Sequence, residues 1–205
     1  MNKTMLAAVL AMAAAFSTSS AFAQESPWQV RARAVFVDFD NAQSEGLPLG
    51  GSVRVEAASR WIPEVDISYF FTKNIATELV LTYPQGIDIE VGGTKQGRIR
   101  ALPPSLLLQY HATDLGAFKP YVGLGLNYTI FSKRSNILDG AAQVERSSFG
   151  PAFQIGMDYM LDKHWSINLD LKYIRMDTDV TVGGDKVGKV GLNPVTAGLG
   201  FGYRF

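Results

Sequence analysis

Beyond residue 24 the chain alternates between apolar and polar positions with a period of two, and the alternation recurs in eight segments. It is plainest in Trp165-Ser166-Ile167-Asn168-Leu169-Asp170-Leu171-Lys172-Tyr173, where odd positions are large and apolar or aromatic and even positions are polar. This is the strand period, in which successive side chains point to opposite faces. Val195, Ala197, Leu199, Phe201, Tyr203 and Phe205 repeat the phase against Thr196, Gly198, Gly200, Gly202 and Arg204. The other predicted strands are Glu64 to Phe71, Ile75 to Tyr83, Ser105 to His111, Tyr121 to Phe131, Phe149 to Leu161 and, less cleanly, Trp28 to Phe39.

Connections alternate in length. Thr72-Lys73-Asn74, Thr113-Asp114-Leu115-Gly116 and Asp162-Lys163-His164 are short, whereas Asp40–Pro63, Pro84–Pro103, Ser132–Ser147 and Asp177–Asn193 are long. An even strand number with short periplasmic turns and longer extracellular loops is the order of an outer-membrane barrel. The fold expected is all-β, an eight-stranded antiparallel transmembrane β-barrel with four longer extracellular loops. A soluble sandwich or lipocalin-like barrel would turn its apolar face inward. Trp28, Tyr69, Tyr83, Tyr110, Tyr128, Tyr159, Trp165, Tyr173 and Tyr203 instead sit largely at strand ends in phase with the apolar face, as two interfacial girdles would. Gly123, Gly125, Gly156, Gly198, Gly200 and Gly202 fall on the opposite face, which suits a narrow interior.

The N-terminus supplies a route to a membrane outside the cytoplasm. Lys3, the apolar run Met5 to Phe16 and the small-x-small site Ala21-Phe22-Ala23 read as a secretory signal peptide. Residues 1–23 are expected to be removed after Ala23 and residues 24–205 to form a single barrel domain. No later run reaches the roughly 18 apolar residues of a membrane helix. At the other end, Leu199, Phe201, Tyr203 and Phe205 at alternate positions resemble the terminal strand read by the barrel assembly machinery. The formal net charge of zero gives no basic field for nucleic acid. Cysteine is absent, which excludes disulfides and thiolate metal sites.

Two longer blocks are more specific. Leu102-Pro103-Pro104-Ser105-Leu106-Leu107-Leu108-Gln109-Tyr110-His111, followed by Lys119-Pro120-Tyr121-Val122-Gly123-Leu124-Gly125-Leu126-Asn127-Tyr128-Thr129, resembles the central signature of the outer membrane protein W family. Tyr69 to Ala76 with Glu78-Leu79, Asp158-Tyr159-Met160 and Asp177-Thr178-Asp179-Val180 are similar to further family blocks. The resemblance spans essentially the whole chain after the signal segment and departs in the outer loops. It implies a hydrophobic channel that carries small apolar molecules, with a lateral exit into the bilayer.

The inward phase can be followed upward from the periplasmic end. The first strand reads Gln29, Arg31, Arg33, then Val35 and Val37; the seventh reads Ser166, Asn168, Asp170, Lys172, then Ile174 and Met176; the fifth ends at Phe131. The lower lumen is therefore expected to hold a polar plug of Arg31, Arg33, Glu78, Asp170 and Lys172, because desolvated charges require partners. Val35, Val37, Phe131, Ile174 and Met176 are expected to line an apolar channel above it. The alternatives are that these residues only fill the interior, or that a bulge at Ala34–Phe36 turns Val35 and Val37 to lipid.

Catalytic chemistry has little material. His111 and His164 fall at the periplasmic ends of strands, as a lumen or interface residue and a turn residue, and leave a triad without a base. The glycines of Val122–Gly125 and Gly198–Gly202 open no helix, so they form no dinucleotide loop. Asp177, Asp179 and Asp185 mark a solvated loop, with a divalent-cation site as the alternative. No enzyme activity, cofactor or metal is expected. The partners expected are outer-membrane lipid and lipopolysaccharide, the assembly machinery and small hydrophobic molecules. A filled structural or receptor barrel acting through its loops, and a lipid-modifying barrel enzyme, are the competing functions.

Overall fold

A computed structural model of the chain describes residues 26–39, 43–44, 53–56, 59–91, 94–132, 142–182 and 185–205. The expected signal peptide lies outside these residues. Every regular element described is a strand: β1 (Trp28–Asp38), β2 (Gln43–Ser44), β3 (Val53–Glu56), β4 (Arg60–Phe70), β5 (Ile75–Thr82), β6 (Gln85–Val91), β7 (Thr94–Leu102), β8 (Ser105–His111), β9 (Phe118–Ser132), β10 (Ala142–Val144), β11 (Ser147–Met160), β12 (Trp165–Ile174), β13 (Asp177–Val182), β14 (Asp185–Gly191) and β15 (Val195–Arg204).

Eight of them close a barrel in the order β1-β4-β5-β8-β9-β11-β12-β15, every neighbour antiparallel, with β15 returning to β1 from Gln29↔Arg204 to Asp38↔Val195. Closure is what the bilayer demands, because lipid offers no partner to an unpaired strand edge. The alternation sorts the side chains. Leu108, Leu124, Ile155, Leu171 and Phe201 are each half or more exposed on the outer wall, while Arg31, Asp66, Glu78 and Asn168 are fully buried in the lumen. A soluble fold would have the two sets exchanged. Trp28, Tyr69 and Phe71 pack edge to face at 4.9 and 5.2 Å, as do Trp165, Tyr203 and Phe205 at 5.0 Å, forming the aromatic girdle of the end where Ser26 meets Phe205.

Two details differ from the sequence expectation. β4 begins at Arg60, not Glu64, and runs through Pro63, which lies one residue beyond the last β4–β5 pair, Glu64↔Thr82, where a missing N–H is tolerated. The outer connections carry their own strands: β6 and β7 form a hairpin, β13 and β14 another, and β3 adds to β6. No bulge interrupts β1, whose register against β4 and β15 is continuous through Ala34–Phe36, so Val35 and Val37 stay inside.

Side chains tie the short turns. Asp162 Oδ1 accepts hydrogen bonds from the amides of His164 and Trp165, both at 2.7 Å, and these hold its carboxyl below the usual range. That contribution is therefore complete above the ordinary carboxylate pKa and fades as pH falls through the lowered value. Asn74 Nδ2 links two turns through His111 O at 2.8 Å and Thr113 Oγ1 at 3.1 Å.

Glycine is required where strands approach most closely. A Cβ at Gly200 would lie 2.1 Å from Ala32 O, and one at Gly125 would lie 2.1 Å from Leu106 O. Backbone cannot yield as a flexible side chain can. Gly200→Ala should lower stability by about 1–3 kcal/mol, as overpacking does, read as a lower urea midpoint by tryptophan fluorescence in lipid. An unchanged midpoint would show that the β1–β15 seam relaxes freely.

Candidate functional site

The lower lumen is a charged network built on the two β1 arginines. Arg31 donates from Nε and Nη2 to the two oxygens of Asp158 at 3.1 and 2.6 Å, and from Nη1 to Asp66 at 3.2 Å and Ser68 Oγ at 2.9 Å. Arg33 reaches Glu78 at 2.9 Å and Asn168 Oδ1 at 3.1 Å, with further ion-pair contacts to Asp66 at 2.6 Å, Glu64 at 3.0 Å and Asp170 at 3.1 Å. Lys172 bridges Glu64 at 2.9 Å and Asp170 at 2.5 Å. Gln109 and Gln154 donate to Glu78 Oε2 at 2.5 and 2.8 Å, Gln154 also to Asp170 at 2.6 Å, and the Tyr121 hydroxyl donates to Asp170 at 2.8 Å. His111 sits below, between the rings of Phe70 and Tyr121 at 4.9 and 4.8 Å.

The structure thus brings together all five expected plug residues, and the pairs Arg33–Glu78 and Arg33–Asp170 form. Sequence reasoning expected Tyr121, inward on the fifth strand, in the lumen but not as a plug residue, and it missed Glu64, Asp66 and Asp158, together with the amides Gln109 and Gln154. Their signal was the same inward phase, present on β4, β8 and β11 but followed only along three strands. Among the described lumen residues three cations, Arg31, Arg33 and Lys172, face five carboxyl groups, Glu64, Asp66, Glu78, Asp158 and Asp170. The floor therefore has a formal negative excess of two.

Above the floor the lumen turns apolar. Val35, Val37, Phe131, Ile174 and Met176, the expected channel lining, all belong to one buried cluster that also holds Phe39, Ile62, Val80, Leu107 and Leu192. Within it lies a small cavity of about 40 Å³, part of it continuous with the outside, bordered by Val37, Ile174 and Met176 but not by Val35 or Phe131. Its wall also includes Thr82, Gln85, Pro103, Ser105 and Thr196, and Glu64 borders it from the charged network.

The barrel wall is interrupted beside this cavity. The β5–β8 ladder stops at Val80↔Ser105 and the β6–β7 ladder starts at Gln85↔Ala101, so Leu81–Pro84 and Leu102–Pro104 make no ladder pair with one another. Pro84, Pro103 and Pro104 carry no N–H, so the break leaves fewer unsatisfied donors than another sequence would. Of the assembly-signal residues, Leu199 and Phe201 face outward at more than half exposure, and Tyr203 and Phe205 join the girdle. Asp177 contacts Arg175 at 3.4 Å, while the side chains of Asp179 and Asp185 lie outside the described residues. No acidic or histidine cluster suited to a metal occurs among the described residues.

Arg33→Ala would strip a shared partner from four carboxylates. The expected loss is about 3–5 kcal/mol, the penalty for a buried charge left unpaired, measured by urea unfolding in lipid. Ion conductance in planar bilayers should stay low, because Arg31, Gln109, Gln154 and Tyr121 still fill the floor. An open pore in this variant would mean that Arg33 alone is the plug.

Comparison with known proteins agrees with this architecture. The model of the OmpW family matches residues 24–205. An uncharacterized outer-membrane protein, y4mB, of Sinorhizobium fredii is 42% identical over 92% of this chain and 84% of its own length. Outer membrane protein W of Vibrio cholerae is 31% identical over 96% of this chain and 97% of its own. The crystal structure of the outer membrane protein OprG from Pseudomonas aeruginosa superimposes with a TM-score of 0.74 at 30% identity, covering 89% of this chain and 97% of that one. A closed eight-stranded wall, a girdle at the terminal end and a family match along the whole described barrel lead to one assignment: the chain belongs to the OmpW family of outer-membrane barrels.

Proposed function

We propose that this barrel is a passive channel for small apolar molecules, which enter the upper cavity from the outer side and leave sideways into the bilayer. The observation that carries the reading is the apolar cavity closed below by ion pairs and open beside it through an unpaired stretch of wall. An apolar solute gains roughly 25 cal/mol for each Å² it removes from water in such a cavity. Passage straight down would require it to cross the desolvated charges of Arg33, Glu64 and Lys172, whereas the side route meets lipid. In the same reading the chain reaches the outer membrane after cleavage behind Ala23, is folded there by the assembly machinery, and is surrounded by lipopolysaccharide in the outer leaflet.

Ile174→Lys places a charge on the cavity wall, at a penalty of several kcal/mol unless it finds a partner. Flux of an apolar fluorescent reporter into proteoliposomes should fall well below the unmodified protein while heat-modifiable gel mobility, the sign of normal insertion, is retained. Equal flux through both proteins would favour a filled barrel that acts through its outer loops.

A further inference from the structure

On the outside of the wall, one patch carries charge immediately above hydrocarbon. Ile87 and Ile99 of the β6–β7 hairpin are buried in the core cluster, so the residues that alternate with them, Gly86, Asp88, Arg98 and Arg100, point outward. Arg98 is 58% exposed and contacts Asp88 through Nε at 2.9 Å. Its guanidinium also lies across Gly86, where a Cβ would meet Nε at 3.0 Å, Cζ at 3.3 Å and Nη2 at 3.4 Å. Gly86 is the register partner of Arg100, so the two arginines share one stretch of the face. Arg100 is exposed and has no side-chain partner among the described residues; Ser132, its partner on β9, is exposed beside it. One outward step lower, Leu102 pairs with Ile130, and Tyr83, Tyr128 and Ile130 are exposed around them. On this hairpin the arginines are therefore the first cations above the apolar band, directly over the interruption between Leu81–Pro84 and Leu102–Pro104.

We propose that Arg98 and Arg100 hold a phosphate of an outer-leaflet glycolipid, whose acyl chains then lie against Leu102 and Ile130 beside the interruption. The proposal concerns the outer wall and stands without the channel reading. Charge and height together select this occupant. Among the described side chains of this face two guanidiniums meet one carboxylate, Asp88, which leaves a positive charge where the apolar band ends and headgroups begin. A guanidinium fork matches phosphate oxygens in pairs, and two forks can share one phosphate monoester. Gly86 allows the head of Arg98 to lie down the wall toward the bilayer rather than stand out into water. A soluble anion would use the arginines alone, whereas a lipid also covers the apolar row beneath them.

The test titrates the full barrel in detergent micelles with diphosphoryl lipid A and counts bound lipid by native mass spectrometry. The first lipid bound should have a midpoint about tenfold below that of the same glycolipid stripped of phosphate, the span of one charge-assisted hydrogen bond. Arg98→Gln and Arg100→Gln should each raise the lipid A midpoint about two- to fivefold, as loss of an exposed ion pair does, and the double variant should raise it further. Arg175→Gln removes an exposed arginine beyond β9 and β11 and should leave the midpoint unchanged. Inorganic phosphate should displace no more lipid A than sodium chloride of equal ionic strength. Equal midpoints for the two glycolipids, a double variant that binds as before, or the same loss from Arg175→Gln would reduce the site to diffuse attraction and overturn the proposal. Displacement by inorganic phosphate would overturn it in favour of a soluble anion. The two glycolipids compared on the unmodified protein still decide if a variant fails to fold. None of these outcomes bears on the cavity, which reporter flux tests separately.

Discussion

Everything in this barrel follows from one requirement, that no backbone amide or carbonyl be left facing hydrocarbon without a partner. The seam between β1 and β15 meets it, and it fixes the curvature of the wall. Eight strands enclose an interior just wide enough to be filled by side chains. The period-two alternation then has no freedom: residues on one face must tolerate lipid and those on the other must fit a narrow tube. Gly125 and Gly200 stand where a neighbouring backbone occupies the place of a side chain. The lumen arginines can lie across the tube because the β15 residues opposite them, Gly200 and Gly202, have none.

The interior is stratified for the same reason. Charges buried in a tube of this width cannot be hydrated individually, so they survive only as a connected set in which each carboxylate is shared. Arg33 shows the principle, reaching Glu64, Asp66, Glu78 and Asp170 from one guanidinium. Such a network adds little net stability over an apolar core of similar volume. What it does add is a floor of charge-assisted hydrogen bonds, which an apolar solute would have to break in order to cross. The transition to Val35, Val37 and Ile174 above it then separates a region that a hydrocarbon can wet from one that it cannot.

The barrel was legible in the sequence because its lipid face is continuous; Trp165 to Tyr173 and Val195 to Phe205 read as strands without reference to anything else. The outer hairpins were less legible: β13 and β14 carry no sustained alternation, while β6 does alternate through Ile87, Ile89 and Val91, and Ile87 and Ile99 of its hairpin are buried in the core cluster, a short signal standing alone between prolines. Pro63 hid the start of β4 by the rule that proline interrupts a central strand, a rule that lapses where the neighbouring ladder has ended. In the site, the level at which polar gives way to apolar was visible on β1 and β12. The partners Asp66 and Asp158 were not, since which residues meet across the tube depends on the stagger of the strands. The interruption in the wall was hidden for a similar cause: three prolines announce a break, but only the register shows that their segments face each other.

The meeting of the chain ends carries a consequence in time. Ser26 donates its amide to Phe205 O at 2.8 Å, and β1 pairs with β15, the last described strand to leave the ribosome. The pairing of widest sequence separation among the described residues is thus also the one that removes the two open edges. Until β15 is made, every shorter chain exposes an edge strand with a greasy face, a template for pairing with any other chain. Arg31 and Arg33, carried on β1, must wait as long for Asp158 and Asp170. Closure of the wall therefore cannot precede β15, and a chain that lacks this strand keeps an open edge that must be held from pairing elsewhere.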